Sequence, residues 1–242
     1  MSFHHQARVV TDGLLIYLDA MNPKSFTVDS SFNSLVNGYE GLLRGTITSD
    51  SNSIDFKAGN GGIYKTSEMV FGANPFSVGA FYKVHDDTGV YQTTIASRWN
   101  TGSSPGTNEW ALSCSDDTLP LGKPGIFLDV SVGTTYSCFA LTDNVADTWY
   151  YVVGTRDGST LRTYLNGEYH NSTNHENIAL AMNDTINHFY IAGIRAGTST
   201  SPYPHSGYPF NGHIGIIQVY NRVVTGLEVT QNWNALRSRY GL

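Results

Sequence analysis

The sequence predicts an all-β protein: a jelly-roll β-sandwich of two antiparallel sheets with one short C-terminal α-helix. Eleven runs have the alternating or continuous apolar pattern of strands, and clusters of Gly, Pro, Asn, Asp and Ser separate them, as is typical of sandwiches. Helical spacing appears in the last 18 residues. No repeat of fixed period is present, which disfavours propellers and solenoids. The runs are LLIYLDA, SIDF, FSVGAFYKV, YQTTIASRW, EWALSCS, GIFLDVSV, TYSCFAL, WYYVVGT, LRTYLNG, NHFYIAGI and GHIGIIQVYN.

The stretch Thr148–Ser172, TWYYVVGTRDGSTLRTYLNGEYHNS, predicts a three-strand antiparallel meander. Apolar side chains fall on both faces of its first strand, because successive side chains of a strand point in opposite directions. Asp157-Gly158 and Asn166-Gly167 are dipeptides that accept the positive backbone dihedrals of tight hairpin turns. Each should connect two strands of the meander.

The C-terminal segment 225–242 predicts a helix that packs on the sandwich. Thr225 and Glu228 have the spacing of a capping box, in which each side chain bonds the other's free backbone N–H. Trp233, Leu236 and Tyr240 recur at helical spacing, and the glycine that follows is a typical stop. The alternative is a helix that binds a partner protein.

Between residue 13 and residue 224 we expect a single sandwich domain. Asn22–Asn60 has weak strand patterns and is predicted to run over the surface. Gly197–Pro209 contains three prolines and is predicted to be a loop, because proline cannot donate to a sheet ladder. Residues 1–12 have no evident place in the sandwich and form a predicted N-terminal arm. Its segment ARVV could add a strand to a neighbouring subunit, or the arm is a disordered tail.

The composition limits the classes of partner. Charged residues make up 14% of the chain, against roughly 25% in an average globular protein. The net charge is −6, so no basic surface is available to displace phosphate counterions, and nucleic acid is not expected as a partner. No run approaches the ~18 apolar residues of a transmembrane helix, and the start lacks the apolar core of a secretory signal. We therefore expect neither membrane insertion nor Sec-type export.

The two cysteines, Cys114 and Cys138, lie on predicted strands with a third strand between them. In a simple meander they are two strand spacings apart, about 10 Å. That exceeds the ~7 Å limit between the Cα atoms of a disulfide. Buried free thiols are expected, and a disulfide through non-sequential strand pairing is the alternative.

Three segments together resemble the laminin-G-like branch of the concanavalin A-like lectin/glucanase superfamily. They are GLLIYLDAMNPKSF, WYYVVGTRDGSTLRTYLNGE and FNGHIGIIQVYNRVVTGLEVTQNWNALRSRYG, and the likeness spans about Thr11 to Gly241. The first and last segments are similar to those of structural proteins of tailed bacteriophages, particularly of marine and cyanobacterial hosts. One departure is the order Asp55-Phe56, where the family often has Phe-Asp-Gly. It puts in doubt any ion or ligand role of the loop that follows.

The resemblance implies a non-catalytic virion protein, either a capsid decoration or a component of the tail or fibre. Such a protein is made in the host cytoplasm, contacts other virion proteins, is multimeric on the particle and can bind host-surface polysaccharide. A glycoside hydrolase and a secreted carbohydrate-binding module of the same fold are the alternatives.

Catalytic relatives of this fold use two glutamates on one strand, since retaining hydrolysis needs two carboxyl groups ~5–5.5 Å apart. In this chain no two glutamates lie within four positions of each other, so no catalytic residues are predicted. A pair brought together from different strands remains open. The six glutamates are Glu40, Glu68, Glu109, Glu168, Glu176 and Glu228.

No metal cofactor is predicted. Zinc motifs of paired cysteines or HExxH are absent from the sequence, and His4-His5 is best explained as a solvated tail. Calcium is the alternative, because Asp86-Asp87 and Asp116-Asp117 lie in predicted turns. A vicinal pair supplies few of the 6–8 oxygen ligands that Ca²⁺ takes, so a role as turn residues is favoured.

A glycan site is predicted in loops that carry aromatic rings, amides and guanidinium groups, since a ring stacks under a sugar and polar groups bond its hydroxyls. In the competing interpretation, Trp99 packs at the end of a strand and the Pro-rich loop contacts a neighbouring subunit. The candidate residues are Trp99, Asn100, Arg195, Tyr203, His205 and Tyr208.

Overall fold

The computed structural model describes residues 7–27, 31–45, 47–57, 61–64, 69–85, 93–101, 109–115, 125–141, 145–182, 188–196 and 209–242. These residues form two large antiparallel sheets that pack face to face as a sandwich, with one short C-terminal α-helix. The predicted fold class is therefore confirmed. None of the described helices has the length and apolar character needed to cross a membrane.

The first sheet has nine strands in the order β13-β12-β11-β9-β17-β7-β4-β3-β2. We call it the front sheet. Its strands are β2 (Phe26–Thr27), β3 (Ser31–Phe32), β4 (Gly41–Arg44), β7 (Gly61–Tyr64), β9 (Thr93–Arg98), β11 (Trp110–Ser115), β12 (Gly125–Ser131), β13 (Thr135–Leu141) and β17 (Phe189–Ile191).

The second sheet has eight strands, and we call it the back sheet. Seven follow the order β16-β15-β14-β8-β19-β6-β5, and β1 also pairs with β19. Its strands are β1 (Leu14–Asp19), β5 (Thr48–Ser49), β6 (Ile54–Phe56), β8 (Phe76–Val84), β14 (Tyr150–Asp157), β15 (Thr160–Leu165), β16 (Glu168–Asn174) and β19 (Gly212–Tyr220). All eleven predicted strand runs contain one of these seventeen strands or part of one.

The core between the sheets is built from alternate residues of the facing strands. On β12, Ile126, Leu128 and Val130 belong to this core, so the residues between them point to the outer face of the front sheet. The two sheets approach closely where β14 crosses β12. A Cβ atom on Gly154 would lie 2.9 Å from Cβ of Leu128, so only glycine fits at this position.

The predicted meander is confirmed as β14, β15 and β16. Asn166 and Gly167 both have positive φ, 50° and 88°, and form the two-residue loop between β15 and β16. The first turn differs slightly from the prediction. Asp157 is still paired with Thr160 in the ladder, so the loop consists of the next two residues, and Gly158 has the positive φ of 53°.

The C-terminal helix α1 (Gly226–Leu236) begins with the predicted capping box, in which Thr225 and Glu228 bond each other's backbone. It continues as a 3₁₀ turn (Arg237–Tyr240) and ends at Gly241, whose φ is 74°. The helix lies on the outer face of the back sheet. The rings of Trp233 and Tyr240 stack on Phe81 with centroids 5.8 and 4.6 Å apart, which confirms a helix that packs on the sandwich.

The described part of the predicted N-terminal arm lies against this helix. The Val10 N–H donates to Oδ1 of Asn232 at 2.8 Å, and the Tyr220 hydroxyl donates to the Val10 carbonyl at 3.1 Å. The Gln231 amide donates to the carbonyl of Arg8 at 2.7 Å. These backbone groups are used within the chain, and strand addition to a neighbour stays a prediction.

The prediction for Asn22–Asn60 was wrong. This stretch contributes β2, β3 and β4 to the front sheet and β5 to the back sheet, and Phe32 is fully buried. Strands of two to four residues span too few alternations to give a recognisable pattern, and their place is determined by pairing with longer neighbours. The prediction for the two cysteines is confirmed, since both thiols are buried and they form no disulfide.

One end of the sandwich is closed around Arg156 of β14, which is fully buried. Burial lowers the pKa of its guanidinium group. The guanidinium makes five hydrogen bonds of 2.5 to 3.3 Å, all to backbone carbonyls. It thereby joins β14 to two connecting segments. The accepting carbonyls belong to Gly72, Asn74, Ile178 and Leu180.

Candidate functional site

The outer faces of the two sheets differ in chemistry. The helix and its aromatic cluster lie on the back sheet, with Phe81, Tyr151 and Ile216 beneath them. The outer face of the front sheet instead carries serine, threonine and alanine side chains together with a carboxyl group. This face is therefore a candidate for a binding site.

Five residues in register form one row across the front sheet, which we call the polar row. Tyr190 of β17 pairs with Ser97 of β9, Ser97 with Ala111 of β11, Ala111 with Asp129 of β12, and Asp129 with Ser137 of β13. Paired residues of antiparallel strands point to the same face. With ~4.8 Å between neighbouring strands, the row is about 19 Å long.

A second row, the aromatic row, lies two positions along the strands. Thr94 pairs with Ser113, Ser113 with Phe127, and Phe127 with Phe139. The hydroxyl oxygens of Thr94 and Ser113 are 3.2 Å apart, and the two phenylalanine rings are 5.0 Å apart. Apolar ring surface therefore adjoins hydroxyl groups on the same sheet face.

Asp129 carries the carboxyl group of the polar row and is 7% exposed. Burial raises the pKa of its carboxyl group to about 7, and the hydroxyl of Ser137, which donates to Oδ1 at 2.5 Å, opposes that rise only in part. A buried carboxyl with a raised pKa inside a strand costs folding energy, and such groups concentrate at functional sites. Exposure grows toward the edge of the sheet, where Ser137 and Phe139 are partly exposed.

One further hydroxyl on this face has no use in the fold. Ser115 of β11 is 2% exposed, and its Oγ has no hydrogen-bond partner among the described residues. A buried hydroxyl without a partner loses its hydrogen bonds to water, so it is usually satisfied by a ligand or by water. The face thus presents an unpaired hydroxyl and a carboxyl group whose burial is only partly compensated by Ser137.

A buried ion pair lies at the end of β9. Nε and Nη2 of Arg98 donate to the two carboxylate oxygens of Glu109 at 2.8 and 3.0 Å, and both side chains are 1% exposed. The strand ladder continues here, because the Ser131 N–H donates to the carbonyl of Glu109. Both oxygens of this carboxylate are therefore engaged by the guanidinium.

The structure brings some of the predicted glycan-binding residues together. Trp99 directly follows β9 and is partly buried. The chain then forms β10 (Asn100–Thr101), which pairs in parallel with β18 (Arg195–Ala196), and Asn100 is the register partner of Arg195. Tyr203, His205 and Tyr208 lie outside the described residues. A glycan site at this set stays a prediction.

Sequence reasoning missed Asp129. A signal was present in GIFLDVS, because aspartate is depleted in strands and here interrupts a strand interior at an alternate position. What the sequence did not give is the register that places Asp129 beside Ala111 and Ser137.

A second group of chemistry-bearing residues lies on the back sheet. Asp55, His85 and His213 each offer a ligand atom, and these atoms all lie within 4.8 Å of one another. Burial and the charge of Lys83 lower the pKa of His213. Burial alone would raise the pKa of Asp55, but its hydrogen bond with His85 contributes to a net lowering. The earlier metal candidates, Asp86-Asp87, Asp116-Asp117 and His4-His5, lie outside the described residues.

Residues 56–230 match the model of the Laminin_G_3 family, described as belonging to the concanavalin A-like lectin/glucanases superfamily. The match covers more than half of the chain. The chain belongs to this family. No curated protein matches this laminin-G-like chain in sequence.

Solved structures show the same fold at low sequence identity. Domain 4 of AbnA, a GH43 extracellular arabinanase from Geobacillus stearothermophilus in complex with arabinotriose, has a TM-score of 0.63 and 16% identity. That match covers 90% of this laminin-G-like chain and 97% of the domain. Trypanosoma rangeli sialidase in complex with sialic acid has a TM-score of 0.66 and 15% identity, covering 96% of this chain and 34% of the sialidase.

The binding domain of botulinum neurotoxin serotype D is similar as well, with a TM-score of 0.64 and 12% identity. The match covers 93% of this laminin-G-like chain and 52% of the toxin domain. The chain thus spans about a third of the sialidase and half of the toxin structure. At these identities the likeness establishes the fold alone.

Proposed function

We propose that the chain is a non-catalytic glycan-binding domain and that glycan binds to the outer face of the front sheet. The observation that carries the proposal is Asp129, a buried carboxyl group with a raised pKa among small hydroxyl side chains. The sandwich core lies on the other side of this sheet, so these groups are not needed to fill the core. A ligand rich in hydroxyl groups would bond the carboxyl group of Asp129 and the hydroxyl of Ser115, which has no hydrogen-bond partner among the described residues.

The chemistry of the two rows suits a sugar. Most of the two rows is nearly fully buried, but Ser137 and Phe139 at the edge of the sheet are partly exposed. This edge offers a hydroxyl group and flat apolar surface to a sugar's C–H groups. Near neutral pH, Asp129 populates both its protonated and its ionised form. It can therefore donate a hydrogen bond to a sugar hydroxyl as well as accept one.

The carboxyl groups favour binding over hydrolysis. Hydrolysis with retention needs a nucleophile and an acid ~5–5.5 Å apart, and inversion needs two carboxyl groups farther apart. Glu109 adjoins this face of the sheet, but both of its oxygens are held by Arg98. A carboxylate in a bidentate pair with a guanidinium is a poor proton donor and a poor nucleophile, so Glu109 is not suited to act together with Asp129.

The similar structures support this reading at the level of fold. The arabinanase domain was solved with arabinotriose, and it matches this chain along nearly its full length. Single sugar contacts are weak, and display in many copies raises avidity by ~10²–10⁴-fold through effective concentration. A multimeric carrier is therefore the natural setting of such a shallow site.

A glycan array probed with multimerised chain tests the proposal. We expect signal on at least one class of polysaccharide, and we expect Phe139→Ala to lower it by about 10-fold, equivalent to ~1.4 kcal/mol of lost contact. Tyr169→Ala is the matched control, because Tyr169 is an exposed aromatic on β16 of the back sheet. A triple alanine variant at Trp99, Tyr203 and Tyr208 tests the site predicted from sequence.

The outcomes separate the alternatives. If the triple variant loses its glycan-array signal while Phe139→Ala keeps it, the glycan binds at the loops and not on the front sheet. Equal loss in Phe139→Ala and Tyr169→Ala, or no signal from the multimerised wild-type chain, contradicts the proposed site. Circular dichroism of each variant shows whether its fold is intact.

A second candidate function is glycoside hydrolysis, which one observation favours. A carboxyl with a pKa of about 7 is suited to be a general acid, and Asp129 has that property. Release of reducing ends from a polysaccharide bound on the array, lost in Asp129→Asn, would establish hydrolysis. Binding without release supports the non-catalytic function.

We also propose that this domain is displayed on a phage particle, as a capsid decoration or as part of the tail. Support comes from the opening and closing segments, GLLIYLDAMNPKSF and YNRVVTGLEVTQNWNALRSRYG, which resemble those of phage structural proteins. The copies on a particle would supply the avidity that a shallow site requires. Mass spectrometry of purified, nuclease-treated particles tests this role, and absence of the chain from them contradicts it.

A further inference from the structure

Two histidines and one aspartate meet on the outer face of the back sheet, near the edge formed by β5 and β6. His213 of β19 is in register with Asp55 of β6 on one side and with Lys83 of β8 on the other. His85 follows β8 directly, and its N–H donates to the carbonyl of Asn211 at 3.1 Å. Sheet pairing on both sides of His213 thus fixes the backbone of all three residues.

The side chains converge on one point. Nε2 of His85 is 2.6 Å from Oδ1 of Asp55, and the rings of His85 and His213 are 4.6 Å apart with an edge-to-face angle of 73°. In a tetrahedral zinc site with bonds of ~2.0–2.2 Å, ligand atoms are about 3.3–3.5 Å apart. The three ligand atoms, all within 4.8 Å of one another, reach that spacing by small side-chain rotations.

His213 also has an outer hydrogen-bond partner, whereas His85 faces a carboxylate at a distance too long for a direct hydrogen bond. Nδ1 of His213 is 2.9 Å from the hydroxyl of Ser53 and 3.5 Å from Oδ2 of Asp50. Nδ1 of His85 is 3.9 Å from Oδ1 of Asp147. A metal-binding histidine almost always donates its second N–H to such a partner, which fixes the ring and raises its basicity. The arrangement leaves Nε2 of His213 for an ion, and Nε2 of His85 would exchange its hydrogen bond with Oδ1 of Asp55 for a bond to the ion.

The charges around the cluster also favour a divalent cation. Asp50, Asp55 and Asp147 contribute three negative charges, and Lys83, whose Nζ lies 5.5 Å from the Trp149 ring centroid, contributes one positive charge. With neutral imidazoles the sum is −3 + 1 = −2. One divalent ion balances this charge.

We propose that Asp55, His85 and His213 form a binding site for a divalent transition-metal ion of the zinc class, with water completing the coordination. Two imidazoles and one carboxylate are ligands that Zn²⁺ accepts, and a set with only one carboxylate oxygen is poor for Ca²⁺ or Mg²⁺. No local motif indicates this site, because the ligands come from positions 55, 85 and 213 rather than from one run of the sequence.

The ion would connect three chain segments at one edge of the back sheet. β6 joins the sheet through three residue pairs with β19, and β5 joins through two pairs with β6. Coordination of one ion by Asp55, His85 and His213 would stabilise the short pairing of β6 with β19. The site lies on the opposite side of the sandwich from the polar row, so glycan binding on the front sheet should not depend on it.

Zinc binding to the full, untagged chain tests the site. After treatment with EDTA and dialysis, we expect one Zn²⁺ per chain by isothermal titration calorimetry, with a Kd in the micromolar range or below. Zinc at ~100-fold over Kd should raise Tm by about 5–10 °C. Titration with Co²⁺ should give the visible absorption of a four- or five-coordinate ion, and Zn²⁺ should displace it.

Variants assign the binding to these residues. His85→Gln and His213→Gln should each lower zinc affinity by at least ~10-fold and abolish the rise in Tm. His170→Gln, at an exposed histidine on β16, is the matched control, and a double His4→Ala, His5→Ala variant removes the pair at the chain start. Apo-state Tm values confirm that each variant folds.

Two results would overturn the site. One is the absence of saturable 1:1 binding to the folded wild-type chain. The other is binding that persists in the two ligand variants or disappears with His4 and His5. Asp55→Asn provides a further measurement that alters one ligand without changing side-chain size, and unchanged zinc affinity in this variant would also contradict the proposal.

Discussion

Asp129→Asn should make the protein more stable at pH 8 and leave it nearly unchanged near pH 4. The pKa of this carboxyl is raised from 3.8 to about 7 in the folded chain, so the folded state binds more protons than the unfolded state between these values. Stability of the wild-type chain therefore falls as pH rises from about 4 to 7, and the full cost is present above pH 7. Asparagine does not ionise and avoids this cost.

About three pKa units correspond to roughly 4 kcal/mol, which is an upper figure because the new amide N–H₂ also needs hydrogen-bond partners. We expect a gain of about 2–4 kcal/mol at pH 8, or a rise in Tm of about 5–15 °C. Urea unfolding across pH 4–8 measures it. Asp157→Asn, at an exposed carboxylate on the back sheet, is the control and should show no such pH-dependent gain. A gain that is independent of pH, or a loss at pH 8, contradicts the description of Asp129.

A gain in stability upon replacing Asp129 would support a role of this residue in ligand binding. A residue that destabilises the fold at neutral pH is retained for another reason, and on the front sheet the proposed reason is ligand binding. The same variant should therefore bind glycan less well while unfolding at a higher temperature. A residue with only a structural role would not combine weaker glycan binding with a higher unfolding temperature when it is replaced.

Arg156→Met should be the most destabilising single change considered in this protein. Five hydrogen bonds join the guanidinium to the carbonyls of two connecting segments, and methionine removes all five, including both bonds to the buried Ile178. Hydrogen bonds to a charged group contribute ~1.5–3 kcal/mol each, and they are not additive. We expect a loss of roughly 4 kcal/mol or more and a fall in Tm of about 10 °C or more.

Arg156→Lys keeps the charge but cannot span four carbonyls, so it should recover only part of the stability. Arg162→Met on the neighbouring strand β15 is the matched control, since that side chain is 33% exposed and pairs with the exposed Asp157. Its effect should stay within about 1 kcal/mol, as for exposed ion pairs. Similar losses for Arg156→Met and Arg162→Met in thermal unfolding would refute the proposed role of the carbonyl bonds.

The long strands and the helix were predictable because their patterns extend over several repeats. β8, β12 and β19 each show at least three alternations or a continuous apolar run. The capping-box spacing in the sequence indicates where the helix begins. β16 is polar along its length, and the Asn166-Gly167 turn alone indicated it. In contrast, β2 and β3 have two residues each, and only pairing in the folded sheet makes them strands.

The candidate sites were less predictable because they depend on register between distant segments. Asp129 lies beside Ser137 through a hairpin, but the polar row also needs Ser97 and Tyr190, which join through β9 and β17. His85 and His213 are even farther apart in sequence. Cys114 and Cys138 were predictable because their three strands are consecutive, and the order of a simple meander gives their separation.

The most direct test of the central claim is a crystal structure of the chain with a glycan identified on the array. We predict that the sugar lies on the outer face of the front sheet, with a hydroxyl within hydrogen-bond distance of Asp129 and a ring face against Phe139. A sugar bound on the back sheet, or bound at the loops without contact to Asp129 or Phe139, would contradict the claim.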